Sequence, residues 1–220
     1  MNFLIVASGI NLEDKKRFIS SCCDTTFNPE NFKYLGIIDD KKEGTVKCRL
    51  DWLMEIDLSE FDVILWADLD DELLPNALEL VAKEYQDPEC WLTYGNYINA
   101  NGEVPYKDLS FPDDIHEASA YRKYDWRFVH LRTFRRELFE KLTDFDLYTD
   151  RKLVAMPDVN MLYSLLEMCG KEHMRHIDTP IYKYNHNHAH TVVNSYSAEL
   201  IEEELNYVKS LTPKEKLKSL

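Results

Sequence analysis

The sequence is poor in basic residues and has few cysteines. It contains 26 Lys and Arg against 40 Asp and Glu among 220 residues, which gives a formal net charge of −14. Proteins that bind the nucleic acid backbone need clustered Lys and Arg, so this balance disfavours a nucleic-acid partner. A nucleotide ligand remains compatible with it, because carboxylates can hold a divalent cation that accompanies the phosphates.

The sequence also lacks the patterns of cysteine-ligated zinc proteins, secreted proteins and membrane proteins. The five cysteines are odd in number and no two have C-x-x-C spacing, so we expect neither a zinc knuckle nor a disulfide framework. No apolar run approaches the ~18 residues that cross a bilayer. Residues 1–10 lack the basic start and long apolar stretch of a secretory signal. We therefore expect a soluble, cytoplasmic protein without a transmembrane segment.

Short apolar runs alternate with amphipathic stretches through the first hundred residues, and we interpret them as buried strands and helices. The predicted strands span residues 2–7, 32–38 and 61–67, and the predicted helices span residues 45–56 and the segment after Pro75. This alternation predicts an α/β protein with a mostly parallel central sheet flanked by helices. The length suits one domain, which we expect at residues 1–212, with a frayed tail at residues 213–220.

The second half of the chain is less regular. Residues 90–94 form a predicted strand that Gly95 closes, and residues 103–127 are a long irregular segment that we interpret as a candidate active-site loop. Pro157 is placed to open a helix, with Asp158 in its first turn. The positive end of that helix would keep Asp158 ionised, so this carboxylate can serve as a base or simply favour the helix start.

Carboxylates follow two of the predicted strands. The run Asp68-Leu69-Asp70-Asp71 comes after the third strand, and Asp39-Asp40 comes after the second. Ligands of open α/β sheets bind at the carboxyl ends of the strands, so both groups are expected at one site. Asp68 and Asp70 can face one ligand together, and their hard oxygens suit Mg²⁺ or Mn²⁺. An acidic loop ahead of the next helix is the alternative.

Aromatic and basic residues form the remaining candidates. Aromatic faces stack on sugars, so we regard Tyr94, Trp126 and His130 as a candidate acceptor platform, although strand aromatics are often core. Arg132 would need an anionic partner if buried, either a phosphate or a carboxylate of the site. The histidines 186, 188 and 190 alternate along a loop and can project to one side.

Four segments resemble a known enzyme family. The run VILWADLDDELLPNALEL resembles the metal-binding D-x-D strand and following helix of glycosyltransferase family 2, which has the GT-A fold. The segments WLTYGNY, HLRTFRRELF and PDVNMLYSLLEMCGKEH followed by IYKYN resemble a small phage, viral and bacterial subgroup of that family. The similarity covers roughly residues 60–190. It implies a GT-A fold with a Mn²⁺ or Mg²⁺ cofactor and a nucleoside-diphosphate sugar as donor.

The resemblance also implies roles for individual residues. Asp68 and Asp70 would hold the metal and the donor diphosphate, and Asp39 with Asp40 would contact the nucleotide base. Asp158 would be the catalytic base of an inverting reaction. The N-terminal third departs from the family pattern, because Lys41-Lys42 stands where Gly-Ser is usual after the two acidic residues. One histidine, with His190 favoured, would complete the metal site.

The resemblance thus implies a metal-dependent, hexosyltransferase-like glycosyltransferase that moves a sugar from a nucleoside-diphosphate sugar of the UDP class to an acceptor hydroxyl with inversion. The acceptor stays open among a glycan, a protein, a lipid head group and a modified DNA base. Two alternatives remain: a metal-dependent hydrolase of nucleotide sugars or phosphoesters, and a non-enzymatic acidic binding protein.

Overall fold

The computed structural model describes residues 1–39, 44–185 and 192–220. The predictions for Asp40 and for the three alternating histidines, His190 included, therefore lie outside the described residues. The strands of the described chain are β1 (Phe3–Gly9), β2 (Phe32–Ile38), β3 (Val63–Asp68), β4 (Glu72–Leu73), β5 (Leu92–Asn99), β6 (Arg132–Arg135) and β7 (Met174–Tyr184). The helices are α1 (Leu12–Cys23), α2 (Thr45–Glu55), α3 (Ala77–Glu84), α4 (Asp113–Glu117), α5 (Arg136–Phe139), α6 (Asp144–Tyr148), α7 (Val159–Cys169), α8 (Val192–Ser195) and α9 (Ala198–Ser210).

Over these described residues the strands form one sheet in the order β2-β1-β3-β6-β5-β7-β4. The longest ladders are parallel and join β1 to β2, β1 to β3 and β5 to β7. The shorter ladders, which involve β6 and β4, are antiparallel. The α/β class is confirmed, with a sheet that is mixed because strands β4 and β6 run against their neighbours.

The sheet separates two apolar cores. Alternate residues of a strand point to opposite faces, so Phe3 and Ile5 of β1 enter one core while Leu4 and Val6 enter the other. Helices α1 and α3 cover the first core, and α2, α7 and α9 cover the second. Burial on both faces explains why β1 and β3 are continuous apolar runs rather than alternating ones.

Strand β5 does not stop at Gly95 as the sequence predicted, because it continues to Asn99 with a register shift against β7 after Gly95. A Cβ at this position would lie 2.6 Å from the Ile181 side chain of β7. The glycine therefore permits close packing at an irregular point of the sheet, and it is not a turn signal. A sequence pattern cannot separate these two uses of glycine.

Two segments are more ordered than the sequence predicted. The long segment at 103–127 contains α4 and buries Leu109, Phe111 and Tyr121 in the second core. The tail at 213–220 is docked: the Lys214 amide donates to Glu167, and the Leu217 amide donates to the carbonyl of Met168. These two hydrogen bonds place the tail in contact with helix α7, and whether it frays in solution stays to be tested.

Lys214 provides a test of this docking. Its Nζ lies 2.7 Å from Oδ2 of Asp146, a carboxylate that is only 2% exposed. Replacing Lys214 by methionine is expected to lower the free energy of unfolding by about 1 to 2 kcal/mol, since a hydrogen bond to a buried charge is lost. Urea denaturation measures this, and Lys218→Met, an exposed lysine of the same tail, is the matched control. Equal free energies of unfolding for wild type and Lys214→Met would mean that the tail is frayed.

The effect should depend on pH. Burial opposes ionisation of Asp146, but hydrogen bonds from Lys214, Thr143 and Ser164 outweigh it and hold its pKa below the usual range. A lowered pKa in the folded state stabilises the fold above the ordinary carboxyl pKa of about 4, and the gain is lost as the pH falls through the folded value. The difference in the free energy of unfolding between wild type and Lys214→Met should therefore become smaller in acid.

Candidate functional site

The candidate site lies where β1, β2 and β3 end. Ser8 of β1 is in register with Asp68, the last residue of β3, and Gly9 is in register with Ile38 at the end of β2. Asp39 follows directly and is buried, with Oδ2 accepting a hydrogen bond from the Gly44 amide. Asp39 and Asp68, which the sequence predicted at one edge of the sheet, therefore lie at that edge.

Asp68 lies between the Arg49 guanidinium and the His130 imidazole. Its Oδ1 accepts a 2.8 Å hydrogen bond from Arg49, and its Oδ2 lies 3.2 Å from Nε2 of His130. Burial opposes ionisation of Asp68, but the contacts with His130 and Arg49 outweigh it and hold its pKa well below the usual range. Asp68 is thus a carboxylate at neutral pH.

Arg49 reaches Asp68 from helix α2. It is fully buried, donates from Nε and Nη2 to the Ser8 hydroxyl, and lies over the Trp66 ring at 4.1 Å. It occupies an apolar helix face together with Val46 and Leu50, which is unusual for a charged residue. The sequence analysis did not single out Arg49, although a lone arginine on such a face was the available signal.

His130 is neutral in this setting. Burial, helped by the nearby Arg132 charge, lowers its pKa, and the ring stacks between Tyr182 and Tyr184 at centroid distances of 5.0 and 5.9 Å. Its Nε2 is buried and lacks hydrogen-bond geometry to any partner in the described chain. A neutral nitrogen facing a carboxylate oxygen is favourable only with a proton or a cation between them.

Asp71 is the third member of this group. It is 1% exposed, and its Oδ1 accepts a 2.8 Å hydrogen bond from the Asn185 amide, while its buried Oδ2 lacks a well-aligned hydrogen bond within the described residues. The Tyr182 hydroxyl also interacts with this carboxylate. Burial, with the charges of Asp70 and Asp68, raises its pKa well above the usual range. A buried, unpaired carboxyl oxygen needs compensation from a proton or a cation.

Asp68, Asp71 and His130 fit a divalent cation. Each offers one ligand atom, and these atoms lie within 4.8 Å of one another. Two carboxylate oxygens and a neutral imidazole nitrogen can bind a divalent transition-metal ion such as Mn²⁺, whereas Mg²⁺ prefers oxygen ligands alone. Oδ2 of Asp71 and Nε2 of His130 lack well-aligned hydrogen bonds within the described chain. The sequence prediction named Asp68 and Asp70, whereas the structure brings Asp71 and His130 to Asp68.

Asp70 has a different environment from its neighbours. Its backbone carbonyl accepts a 2.9 Å hydrogen bond from Arg17 of α1, and its side chain is not part of the three-residue cluster. The D-x-D spacing places Asp68 and Asp70 on one side only if the strand continues past Asp68. Strand β3 ends at Asp68, and the chain turns there, with the Asp71 amide donating to the Asp68 carbonyl. That turn brings Asp71 inward.

Asp158 lies at the start of α7 and faces the sheet. It occupies the N-cap position, yet its side chain does not cap the helix. Instead its Oδ2 accepts a 3.0 Å hydrogen bond from the Trp66 indole and lies 3.8 Å from Nη1 of Arg132. The helix begins at Val159, two residues later than predicted, and the carboxylate, with a side chain 18% exposed, remains accessible.

A cleft of about 520 Å³ lies beside the cation cluster and beside the surroundings of Asp158. Its lining combines aromatic rings with a few charged groups, namely Tyr97, Tyr106, Asp125, Trp126, Val129, His130, Arg132 and Tyr184. His130 belongs to the cation cluster, and Arg132 lies 3.8 Å from Asp158, so the cleft adjoins both through these two lining residues. Of the predicted acceptor platform, Trp126 and His130 line the cleft, and Arg132 lines it as well. Tyr94 does not: it is 2% exposed and packs against Phe111 and Phe128.

Tyr94 is therefore a core residue, for a reason that the strand pattern did not reveal. The long segment at 103–127 folds over this face of β5, and the Tyr94 hydroxyl donates to the Leu109 carbonyl in that segment. Two further residues of the site were missed by the sequence analysis. Tyr182 accepts the Asp68 amide proton at 3.0 Å, and Trp66 orients Asp158. Both stand within apolar strands that resemble ordinary core.

Comparisons with solved structures establish the fold. The chain is similar to S. aureus TarS 1–349 in complex with UDP-GlcNAc, with a TM-score of 0.64, 14% identity, and coverage of 94% of this chain and 64% of that one. The complex of TarS 1–349 with UDP gives a TM-score of 0.61 at 14% identity over 97% and 67% of the two chains. The chain has a glycosyltransferase fold of the GT-A type.

This fold spans only part of the longer neighbour. A further TarS structure matches with a TM-score of 0.64 and 14% identity over 94% of this chain, but over only 39% of its own length. No protein-family model matches the sequence, and no curated protein does. None of the helices in the described part of the chain combines the length and apolar character needed to cross a bilayer.

Proposed function

We propose that this chain is a glycosyltransferase that moves a sugar from a nucleoside-diphosphate sugar, of the UDP class, to an acceptor hydroxyl with inversion. One observation carries the proposal: a single cleft is lined both by His130, a member of the cation-type cluster, and by Arg132, which lies 3.8 Å from the Asp158 carboxylate. The GT-A fold supports it, and structural neighbours with 14% identity are in complex with UDP and UDP-GlcNAc. Metal dependence, inversion and donor class are part of this proposal.

Asp68, Asp71 and His130 would hold the cation beside the donor diphosphate. A bound divalent cation supplies charge neutralisation for the leaving diphosphate. Arg49 keeps Asp68 ionised and oriented, since it fixes Oδ1 and leaves Oδ2 toward His130. The contact of Asp39 with the nucleotide base stays a prediction.

Asp158 would act as the base. The acceptor oxygen forms a bond to the sugar C1 while the bond between C1 and the diphosphate oxygen breaks, and the hydroxyl proton passes to Asp158. Attack from the face opposite the leaving group inverts the configuration at C1. The Trp66 indole holds Oδ2 of Asp158, and we assign Oδ1 to the acceptor proton.

The cleft suits an acceptor with a flat or ring-shaped apolar face. Trp126, Tyr97 and Tyr184 present aromatic surface, while Arg132 and Asp125 provide charges that can fix hydroxyl groups. Carbohydrate rings combine these two features. This composition supports a glycan acceptor, although a lipid head group or a modified base with a hydroxyl would meet the same chemistry.

Isothermal titration with UDP tests the donor site. We expect UDP to bind in the presence of Mn²⁺ and the affinity to fall by at least about 10-fold when the ion is removed with EDTA, because the cluster and the diphosphate share the cation. An equal UDP affinity in Mn²⁺ and in EDTA would contradict a role of the cation in donor binding. Absence of any UDP binding would favour an acidic binding protein instead. Donor consumption that no acceptor candidate increases would favour a hydrolase.

A further inference from the structure

The segment just before Asp158 is anchored to the final helix α9. Glu204 of α9 is 1% exposed, and its carboxylate accepts three hydrogen bonds from three consecutive backbone amides. Oε1 takes the Val154 amide at 2.8 Å, and Oε2 takes the Ala155 and Met156 amides at 2.9 Å each. One side chain thus fixes the backbone of this turn.

These hydrogen bonds are strong and local. Amides that donate to a carboxylate form charge-assisted bonds, which are roughly twice as strong as neutral ones. Ala155 is 1% exposed, so its amide would be left without a partner in the interior if the carboxylate moved away. The position of residues 154–156 therefore depends on Glu204.

The anchored turn leads directly into Asp158. The Met156 carbonyl accepts the Val159 amide at 3.3 Å, which closes the turn around Asp158. The Asp158 side chain does not cap its own helix and reaches across to the Trp66 indole at 3.0 Å. The position of the Asp158 carboxylate depends on the backbone of residues 154–158. A displacement of about 1 Å at a reacting group can lower the rate by about 10²-fold.

We propose that Glu204 is a positioning residue that holds Asp158 against Trp66, and so aims the carboxylate at the cleft. It lies on a helix that contributes no residue to the cleft lining, so it acts through the turn and not on a substrate. The proposal rests on the proposed function for its catalytic consequence. The contact between Asp158 and Trp66 can be measured without any turnover.

The indole N–H resonance of Trp66 reports the position of Asp158. The chain has four tryptophans, and Trp66→Phe identifies the cross-peak in a ¹⁵N-labelled sample. We expect Glu204→Gln to shift the Trp66 indole resonance in the same direction as Asp158→Ala does, or to broaden it. A glutamine amide has one acceptor oxygen, and its NH₂ group faces one of the three amides that the carboxylate accepts. An unchanged Trp66 resonance in a folded Glu204→Gln variant would overturn the proposal.

The neighbouring Glu203 provides the matched control. It also touches the segment, through a 2.7 Å ion pair with Arg151, but that pair is exposed and involves no backbone amide. Glu203→Gln should leave the Trp66 resonance in place. An equal shift in both variants would mean that any loosening of α9 moves Trp66, and the specific role of Glu204 would be refuted. If Glu204→Gln does not fold, Glu204→Asp keeps the charge on a shorter arm, and the same shift is expected.

Turnover of UDP-GlcNAc with Mn²⁺ adds a second measurement. Glu204→Gln should lower kcat by up to about 10²-fold with unchanged UDP affinity, and should have no further effect in an Asp158→Asn background. Additive losses would assign Glu204 a purely structural role. Full activity of Asp158→Asn would instead remove the proposed base. The indole result, which needs no activity, would still decide whether Glu204 positions Asp158.

Discussion

Asp158→Asn is expected to reduce sugar transfer by about 10²- to 10⁴-fold, the usual contribution of a positioned general base. Asparagine preserves the shape of the side chain, and its oxygen can still accept the Trp66 indole proton, but it cannot take the proton of an acceptor hydroxyl. Donor binding should be unchanged, because Asp158 supplies no ligand atom to the cation cluster of Asp68, Asp71 and His130. Single-turnover kinetics with a UDP-sugar and titration with UDP measure the two effects separately.

Two outcomes would contradict this assignment. Full turnover in Asp158→Asn would remove the base role, and loss of UDP affinity would place Asp158 in the donor subsite. Asp178→Asn is a suitable control, since Asp178 is a strand carboxylate with a side chain 83% exposed, and it lines no part of the cleft. It should retain wild-type turnover.

Asp71→Asn is expected to weaken Mn²⁺-dependent UDP binding by at least about 10-fold, because it removes a cation ligand. The substitution should disturb the fold little. The asparagine oxygen can still accept the Asn185 amide, and burial with two neighbouring carboxylates already raises the pKa of Asp71, so the folded state tolerates a neutral group there. Titration of UDP in Mn²⁺ and in EDTA separates loss of the cation from loss of the nucleotide.

A comparison with Asp70→Asn decides between the two carboxylates. The D-x-D pattern favours Asp70 as the second ligand, whereas the turn after β3 brings Asp71 to Asp68 and His130. We expect the larger loss in Asp71→Asn. A larger loss in Asp70→Asn would return the ligand role to Asp70.

The general plan of the sheet could be predicted from sequence because burial on both faces leaves a continuous apolar run. Strands β1 and β3 were identified this way, whereas the edge strand β2 is only partly buried and was identified by its apolar composition. The acidic residues Asp39 and Asp68, at the ends of β2 and β3, lie at one edge of the sheet. The exact ligand set could not be predicted, because it depends on a turn. If β3 continued past Asp68, Asp70 would face the same side as Asp68 and would be the second ligand. Because β3 ends at Asp68, the following turn brings Asp71 to Asp68 instead.

Other site residues were hidden by long-range packing. His130 was predicted as an aromatic platform, yet its partner Asp68 is 62 positions away and the contact exists because β6 lies beside β3. Arg49 reaches the site from a helix, and Tyr182 reaches it from the last strand. Tyr94 shows the reverse case, since a segment without periodicity folded over it and made it core.

The central claim is a divalent cation site shared by Asp68, Asp71 and His130 and completed by a nucleoside diphosphate. Electron paramagnetic resonance of free Mn²⁺ tests it directly, because protein-bound Mn²⁺ loses the sharp signal of the aqueous ion. We predict that the wild-type chain removes Mn²⁺ from solution in the presence of UDP and that Asp71→Asn removes far less. An unchanged free Mn²⁺ signal with wild-type protein and UDP would contradict the account.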